Sequence, residues 1–553
     1  MTPAGPAPTV EPLFDFSPTL PHLIAHSVAH HGDRDFLVGP DFHFTYADME
    51  ALSRRYALHL LARGVGKGTR LGLMFPNSPD GVALFLAAGR IGAFVMPFST
   101  LFKPAELRST LRLSDTSHLV VPARLFGQDH LAFVESAVPG LADQPAPPLF
   151  LEAVPFLRRV HTVGPSDRGW AEPLDPDAPT GGPDDELLAA VEREVTPADW
   201  LVTIWTSGTT SDPKGVVHSH GSEVRHAARL ADMFGVGPDE RILAGLPFFW
   251  VGGLNLTLLA ALHTGPTLLC LERLDPEPVL DLAERLPPTR ATIWSRRALE
   301  RIVLHPTFAA RPPEATAAFR RMRDAPHGGR TMPNSLGMSE TSGPHTGVPA
   351  LEMAEPLPEH LYGSFGRPLP GVAHRIADPL TGDTLPEGVE GEICVRGYSL
   401  LQGLYKYERE STFDEEGWFH TGDLGYFKEG HLFFTGRRGD MIKSSGSNVA
   451  PLEVEAVLAS IPVVKAAYVF GVPDRLVGEA VVAVVVADDP DDLDVAGLLG
   501  SAKERLSSYK VPREVVTLGE EDVPYLPSGK ADVRALRRIV GERLGPPGDQ
   551  TPG

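Results

Sequence analysis

Near the start of the chain, Leu20, Leu23, Ile24 and Val28 recur at helical spacing and predict a helix over 19–31. From residue 70 the pattern alternates. A short apolar strand over 70–75 precedes a helix over 80–90, a strand over 93–97, a further helix and a strand over 119–121. Strands alternating with helices predict a parallel sheet covered on both faces. Residues 138–185 are rich in Pro, Gly and Asp and predict a long surface excursion. The alternation resumes at Leu201 and runs to about residue 305. After about 365, short strands over 372–376, 391–396 and 432–435 with turn residues between them predict a small β-rich unit. Beyond Gly436 the pattern becomes compact α+β, with helices over 451–460 and 492–506 and strands over 466–472 and 480–486. The fold class expected is α/β. A large N-terminal domain of layered helices and parallel sheets, with a β-rich subdomain, covers 1–437, and a small α+β C-terminal domain covers 438–553.

Composition narrows the function classes. With 553 residues, 42% hydrophobic and 22% charged, the chain can bury a large core without disulfides or metals. Gly 55 and Pro 54 imply many loops. Lys+Arg 50 against Asp+Glu 71 leaves a net charge of −21, and no basic run stands out, which argues against a nucleic-acid partner. Small anionic ligands stay compatible, because local donors override net charge. The two cysteines, Cys270 and Cys394, lie in apolar runs and fit a reducing compartment. No Lys or Arg occurs before residue 20, and apolar runs such as 481–487 fall far short of the ~20 residues of a membrane span, so a cytoplasmic protein without a membrane partner is expected. His22, His26 and His30 share a helical stripe, but no carboxylate or cysteine accompanies them, and the stripe reads as a solvated face.

The strongest local pattern is Thr206-Ser207-Gly208-Thr209-Thr210-Ser211-Asp212-Pro213-Lys214-Gly215. An apolar strand over 201–205 runs into a loop dense in hydroxyls and backbone N–H groups and ending in one lysine, which suits phosphate oxygens. It is not a Walker A loop: five residues separate Gly208 from the lysine, and Val216-Val217-His218 is β-like rather than a helix start. Taken alone, the same composition also describes a Ser/Thr-rich surface turn. Gly337-Met338-Ser339-Glu340-Thr341 lacks the closing glycine of a nucleophile elbow.

The loop at 206–215 resembles the phosphate loop of the adenylate-forming superfamily, which includes acyl- and aryl-CoA synthetases, peptide-synthetase adenylation domains and luciferases. Further segments resemble that family's motifs in the right order. They are Arg90-Ile91-Gly92-Ala93 to Pro97, the aromatic acid-pocket segment over 246–253, Leu336-Gly337-Met338-Ser339-Glu340-Thr341, the ribose segment over 418–423, the interdomain segment over 436–440, and Pro527-Ser528-Gly529-Lys530 near the C-terminus. Six motifs in order across nearly the whole chain carry the resemblance.

The resemblance implies ATP, Mg²⁺ and coenzyme A as ligands, a small-molecule acid as substrate, and a C-terminal domain that moves. It places Thr206, Ser207, Gly208, Thr209, Thr210 and Lys214 on the β- and γ-phosphates, Glu340 on Mg²⁺, and Ser339 on the α-phosphate in place of the usual threonine. Leu336 and Gly337 would border the adenine, Asp423 would accept from the ribose hydroxyls, and Arg437 would support ribose and phosphates. Lys530 would be the cation of adenylation, Gly439 the hinge, and Ser445 and Gly446 part of the coenzyme A path. Trp250, Val251, Gly252, Met338 and His345 would wall the acid pocket. Two features depart from the family. Leu336 replaces an aromatic, and the stretch 294–334 is short and lacks the usual Gly-Gly-Ala-Pro adenine segment. The leading expectation is therefore an ATP-dependent acid–CoA ligase acting on an aromatic or medium-sized acid. Alternatives are an adenylate-forming enzyme with another acceptor (an amine, a carrier protein, or nitrite activation for aryl-amine diazotisation) and a non-catalytic ligand-binding relative. A homodimer is compatible with either.

Overall fold

The computed structural model describes residues 14–206, 213–293, 296–324, 335–350, 357–439, 442–444, 447–449, 451–474, 478–506, 510–526 and 530–544. Its largest sheet has eight strands, in the order Gly403–Leu404, Lys214–Ser219, Trp200–Thr206, Phe94–Pro97, Arg70–Leu73, His118–Pro122, Arg159–Val163 and Ala171–Pro173. The six from Trp200–Thr206 onward run parallel, and the two at the other edge are antiparallel. Alternation within each strand buries both faces: Leu71, Val95 and Val120 point to one core, and Phe94, Met96, Leu119 and Val121 to another.

A second sheet of five strands, Arg290–Ile293, Arg241–Gly245, Thr267–Leu269, Asp35–Val38 and His43–Thr45, is parallel except at its last pair. Helices Leu20–His31, Tyr46–Ala62 and Pro79–Arg90 lie between the two sheets, because Leu23, Tyr56 and Leu84 share one core with Leu71 of the first sheet and Leu37 of the second. Further helices close the outer faces, through Leu107 and Leu131 on one side and Val279, Leu282 and Phe319 on the other. The result is helix and sheet layers in alternation, as the sequence pattern predicts. His22 and His30 are exposed, and the His26 ring lies tilted against Phe16 with centroids 4.9 Å apart.

The excursion expected over 138–185 is a correction. Arg159–Val163 and Ala171–Pro173 extend the main sheet, and Leu149, Leu157, Val160 and Trp170 are buried in its core. Trp170 donates its indole N–H to Glu135 Oε1 at 3.1 Å. The Pro/Gly content hid short edge strands, where a terminal Pro173 removes no ladder bond that matters.

Beyond the layered part, Val372–Ala377, Gly391–Gly397, Phe419–Lys428 and His431–Arg437 form a four-stranded antiparallel sheet. Its Val372, Ile393, Val395 and Leu432 pack on Val216, Leu230 and Met233 of the layered part. A three-stranded sheet, Leu336–Met338, Gly343–Gly347 and Arg367–Pro368, joins them. Strands Ile442–Ser444, Ser447–Val449, Ala466–Asp474, Gly478–Val486 and Glu514–Leu518 make a separate sheet covered by helices Pro451–Ala459, Val495–Lys503 and Val533–Leu544, with cores of their own. Among the described residues no helix is long and apolar enough to cross a membrane.

Candidate active site

The hairpin Trp200–Thr206/Lys214–Ser219 sets Thr206 opposite Lys214 across two well-paired strands. Thr206 Oγ1 donates to the Lys214 carbonyl at 3.4 Å. Gly215 sits where a Cβ would come within 2.8 Å of Thr203 and 3.0 Å of Tyr405, so the strand behind the lysine approaches its neighbours as only glycine permits. Ser207, Gly208, Thr209 and Thr210 lie outside the described residues.

Ser339, Glu340 and Thr341 form a tight turn between Leu336–Met338 and Gly343–Gly347. Buried Thr341 staples it: its Oγ1 donates to the Gly343 carbonyl at 2.7 Å and accepts from the Met338 N–H at 3.2 Å. Ser342 closes the turn with a left-handed φ of 58°. The Glu340 carbonyl accepts from the Leu401 N–H at 2.8 Å, and the Ser339 carbonyl accepts from His218 Nε2 at 2.7 Å. A carbonyl only accepts, so His218 carries its proton on Nε2.

Asp423 and Arg437 are partners across the pair Phe419–Lys428/His431–Arg437. Arg437 Nε donates to Asp423 Oδ1 at 2.7 Å, with the aspartate side chain 8% exposed and the arginine 58%. Gly422 precedes it with φ 72°, and its N–H donates to Glu392 Oε1 at 3.1 Å. The Asp423 N–H donates to Thr421 Oγ1 at 3.0 Å.

These elements converge on Glu340. Burial pushes its carboxyl above the ordinary carboxylate range; its own backbone N–H and the nearby Arg437 and Lys214 pull it back, and Asp423 pushes it further up. Two carboxylates facing two cations suit a bound anion with a divalent ion beside it. Such an ion would be held through Glu340 and would keep that carboxylate ionised despite its burial. Among the described residues no three His, Cys, Asp or Glu side chains gather into a metal cage. Glu340 therefore fits Mg²⁺, which usually takes one or two carboxylates and fills its sphere with phosphate oxygens and water.

The acid-pocket segment begins in a loop clasped by a residue that sequence reasoning missed. Asn77 donates Nδ2 to the Ala244 and Leu246 carbonyls, both at 2.9 Å, and accepts from the Phe248 N–H at 2.9 Å. Its partners lie about 170 positions away, so no local pattern betrays it. Trp250 caps the short helix Val251–Gly253, which runs into a π-helical turn over Leu254–Leu259. Such turns are frequent at functional sites. Trp250 is half-buried with its ring edge-on to Phe249 at 5.5 Å, and Val251 and Gly252 are half-buried beside it. A small apolar cleft lined by Leu73, Phe75, Phe85, Phe248, Phe249 and Leu258 opens against this segment. Leu336 and Met338 are half-buried against the cluster that also takes up Leu256. His345 is 1% exposed, and its Nδ1 lies 2.7 Å from His374 Nε2, so the structure places it in a buried histidine pair.

Gly439 is exposed, with open space around any added Cβ. The residue before it is fastened: the Arg438 N–H donates to the Gly422 carbonyl and its Nη2 to the Pro379 carbonyl, both at 2.8 Å. Ser445 and Gly446 lie outside the described residues. Lys530 is exposed at the foot of a hairpin closed by Leu526 N–H to the Lys530 carbonyl at 2.8 Å. The charges that act most on Glu340 are those of Arg437, Asp423 and Lys214.

Comparison with known proteins identifies this arrangement. The family model of the AMP-binding enzyme matches residues 24–405, and that of the AMP-binding enzyme C-terminal domain matches 453–530. The chain belongs to the AMP-binding enzyme family. It is thus an ATP-dependent, adenylate-forming ligase of the acid–CoA ligase type. The indoleacetate–CoA ligase of Aromatoleum aromaticum (strain DSM 19018 / LMG 30748 / EbN1) is 30% identical over 520 residues, 91% of this chain and 94% of that one. Among solved structures, ATP-bound MatB from Rhodopseudomonas palustris is similar with a TM-score of 0.74 and 25% identity, over 96% of this chain and 100% of that one. The amide bond synthetase McbA from Marinactinospora thermotolerans is similar with a TM-score of 0.74 and 28% identity, over 94% and 99%. In this family member ATP and coenzyme A are substrates.

Proposed function

We propose that this AMP-binding enzyme activates an aromatic or medium-sized monocarboxylic acid and transfers it to coenzyme A. The observation that carries the reading is the contrast between two neighbouring surfaces. Lys214, Glu340, Asp423 and Arg437 gather charge for a nucleotide, whereas the stretch 246–259 contains aromatic, aliphatic and small residues and no ionisable side chain. A second carboxylate on the acid would find no cation in that segment, and its desolvation would be unfavourable.

In the first step a carboxylate oxygen of the acid attacks the α-phosphorus of ATP, and the bond to pyrophosphate breaks. Both partners are anionic, so the protein's task is positioning and charge compensation. Thr206 and Lys214 with the intervening loop hold the β- and γ-phosphates, and Glu340 holds Mg²⁺, which supplies further positive charge. Ser339 donates to the α-phosphate, Asp423 accepts from the ribose hydroxyls, and Arg437 orients Asp423. Leu336 and Gly337 border the adenine without aromatic stacking. Trp250, Val251, Gly252 and Met338 wall the acid. Lys530 bridges the acid carboxylate and α-phosphate once the C-terminal domain closes. In the second step the thiolate of coenzyme A attacks the acyl carbon and AMP leaves. For this the domain turns about Gly439, and Ser445 and Gly446 line the thiol's approach.

The test is a panel of aromatic, medium-chain and dicarboxylic acids assayed for pyrophosphate release and thioester formation. Release and thioester with apolar monocarboxylates, and neither with malonate, are expected. Pyrophosphate without thioester across the panel would defeat the second step. A second reading keeps adenylation and passes the acyl group to an amine. The similarity to the amide bond synthetase McbA supports it. Replacing coenzyme A by an amine in the same assay distinguishes the two acceptors.

A further inference from the structure

Beneath the Ser339–Thr341 turn lies a buried polar cluster to which none of the roles above is assigned. Glu223 occupies the first turn of the helix His220–Phe234 and is 1% exposed. A carboxyl group buried this deeply needs partners. Ser342 Oγ donates to its Oε1 at 2.5 Å. Asn255 Nδ2 in turn donates to Ser342 Oγ at 2.5 Å and to the Ser342 carbonyl at 3.1 Å. The same Oε1 stands 3.5 Å from His218 Nδ1 with no hydrogen bond between them, while His218 Nε2 donates to the Ser339 carbonyl. His218, Asn255 and Ser342 are fully buried.

Four segments therefore meet at one carboxyl group. His218 is on the strand that begins with Lys214. Asn255 is in the π-helical turn that follows Trp250. Ser342 ends the turn that carries Ser339 and Glu340. Glu223 comes from the helix that packs beneath all three. Water cannot substitute readily for a missing partner at full burial, so the cluster transmits displacement rather than absorbing it. A π-helical turn is a register irregularity frequent at functional sites, and it places Asn255 in this chain of bonds.

We propose that Glu223 is a positioning residue for adenylation, one that fixes the Ser339–Glu340 turn relative to the acid-pocket helix through Ser342 and Asn255. Occupation of the acid pocket then sets the side chains that receive the α-phosphate and Mg²⁺. The inference rests on the assignment of Ser339 and Glu340 above. It does not rest on coenzyme A as acceptor.

Pyrophosphate release with indoleacetate, benzoate and octanoate, in wild type and in Glu223→Gln, Glu223→Leu and Ser342→Ala, tests it. The glutamine keeps the side-chain volume and, through its amide oxygen, the acceptor for Ser342, so kcat stays within about three-fold of wild type. The leucine and the alanine lower kcat about ten-fold or more and change KM for the acid much less, a loss in the range of ordinary site-to-site coupling. Wild-type kcat in a folded Glu223→Leu protein would overturn the proposal. So would a Glu223→Gln protein as slow as the leucine variant. If the leucine variant does not fold, Ser342→Ala decides alone, and unchanged kcat counts against the proposal. Calorimetry with α,β-methylene-ATP, with and without Mg²⁺, needs no acid and separates this inference from the adenylation reading. The Mg²⁺-dependent gain in affinity is expected to fall about five-fold or more in Glu223→Leu and Ser342→Ala but not in Glu223→Gln. An equal gain in all four proteins overturns it.

Discussion

Asp423 and Arg437 face each other at 2.7 Å, but only the aspartate is withdrawn from water. The arginine faces solvent while bonded to the aspartate, and the aspartate follows the Gly422 turn, whose N–H is held by Glu392. Replacing Asp423 by Asn keeps the shape and removes the charge-assisted acceptor. The apparent KM for ATP is expected to rise roughly ten- to hundred-fold with little change in melting temperature, as for loss of a charged hydrogen bond of about 1.5–3 kcal/mol. Glu223 gives a second prediction, in stability. Burial pushes its carboxyl up to about 8 from the ordinary 4.5, and the Ser342 bond offsets part of that. A carboxyl raised in the folded state holds its proton while the unfolded chain releases it, so its contribution is complete below about 4.5 and is lost as pH rises to about 8. Between pH 5 and 8.5 the melting temperature of wild type should therefore fall relative to that of Glu223→Gln. Parallel curves would refute this. At this scale the sequence showed Lys214, Glu340 and Asp423, because each sits in a local motif. It did not show Asn77, His218 or Glu223, whose partners lie 119 to 171 positions away. His345 was visible as a residue near a motif, but its pairing with His374 was not.

Elements were legible where one period held over several residues. The helix Pro79–Arg90 and the strands Phe94–Pro97 and Gly478–Val486 differ from their predicted spans by only one or two residues. The 138–185 stretch failed because a three-residue edge strand such as Ala171–Pro173 has too few positions to show alternation. The long strand Phe419–Lys428 was legible only as a ribose motif, because Gly422 and Gly425 interrupt its pattern. The strand pair Leu336–Met338/Gly343–Gly347 shows how closely an element can depend on one glycine. A Cβ on Gly337 would stand 2.4 Å from the carbonyl carbon of Gly343 and from the nitrogen of Pro344. Gly337→Ala must push these two strands apart at the base of the Glu340 turn. The expected cost is about 1–3 kcal/mol, as for overpacking in a core. Pyrophosphate release should drop together with the melting temperature. Loss of activity with unchanged stability would mean that Gly337 serves the nucleotide directly rather than the strand pair.

At the scale of the whole molecule, many histidines are buried as neutral groups. Burial pulls His118, His130, His218, His220, His263 and His374 down to about 4 from the ordinary 6.5. The unfolded chain takes up protons below 6.5 that the folded chain refuses, so stability is lost as pH falls from about 6.5 to 4. The melting temperature is expected to drop by roughly 10 °C or more between pH 7.5 and 5, since several sites contribute in the same direction. A flat profile would show that these histidines are solvated. The division of labour between the two domains, which we place at 437/438, yields the last prediction. Lys530 is exposed, and Arg438 is bonded to the large domain right up to Gly439. In the proposed cycle the chain pivots beyond Arg438 to bring Lys530 to the α-phosphate, and the same pivot carries it away before the thiol approaches. Its removal should then affect one half-reaction alone. Lys530→Ala is expected to slow pyrophosphate release about 100-fold or more, the usual cost of deleting one preorganised charge at a transition state. Thioester formation from a chemically prepared acyl-adenylate and coenzyme A should remain within a few-fold of wild type. Equal loss in both half-reactions would mean that Lys530 supports the fold of its domain, and unchanged pyrophosphate release would remove it from the catalytic set.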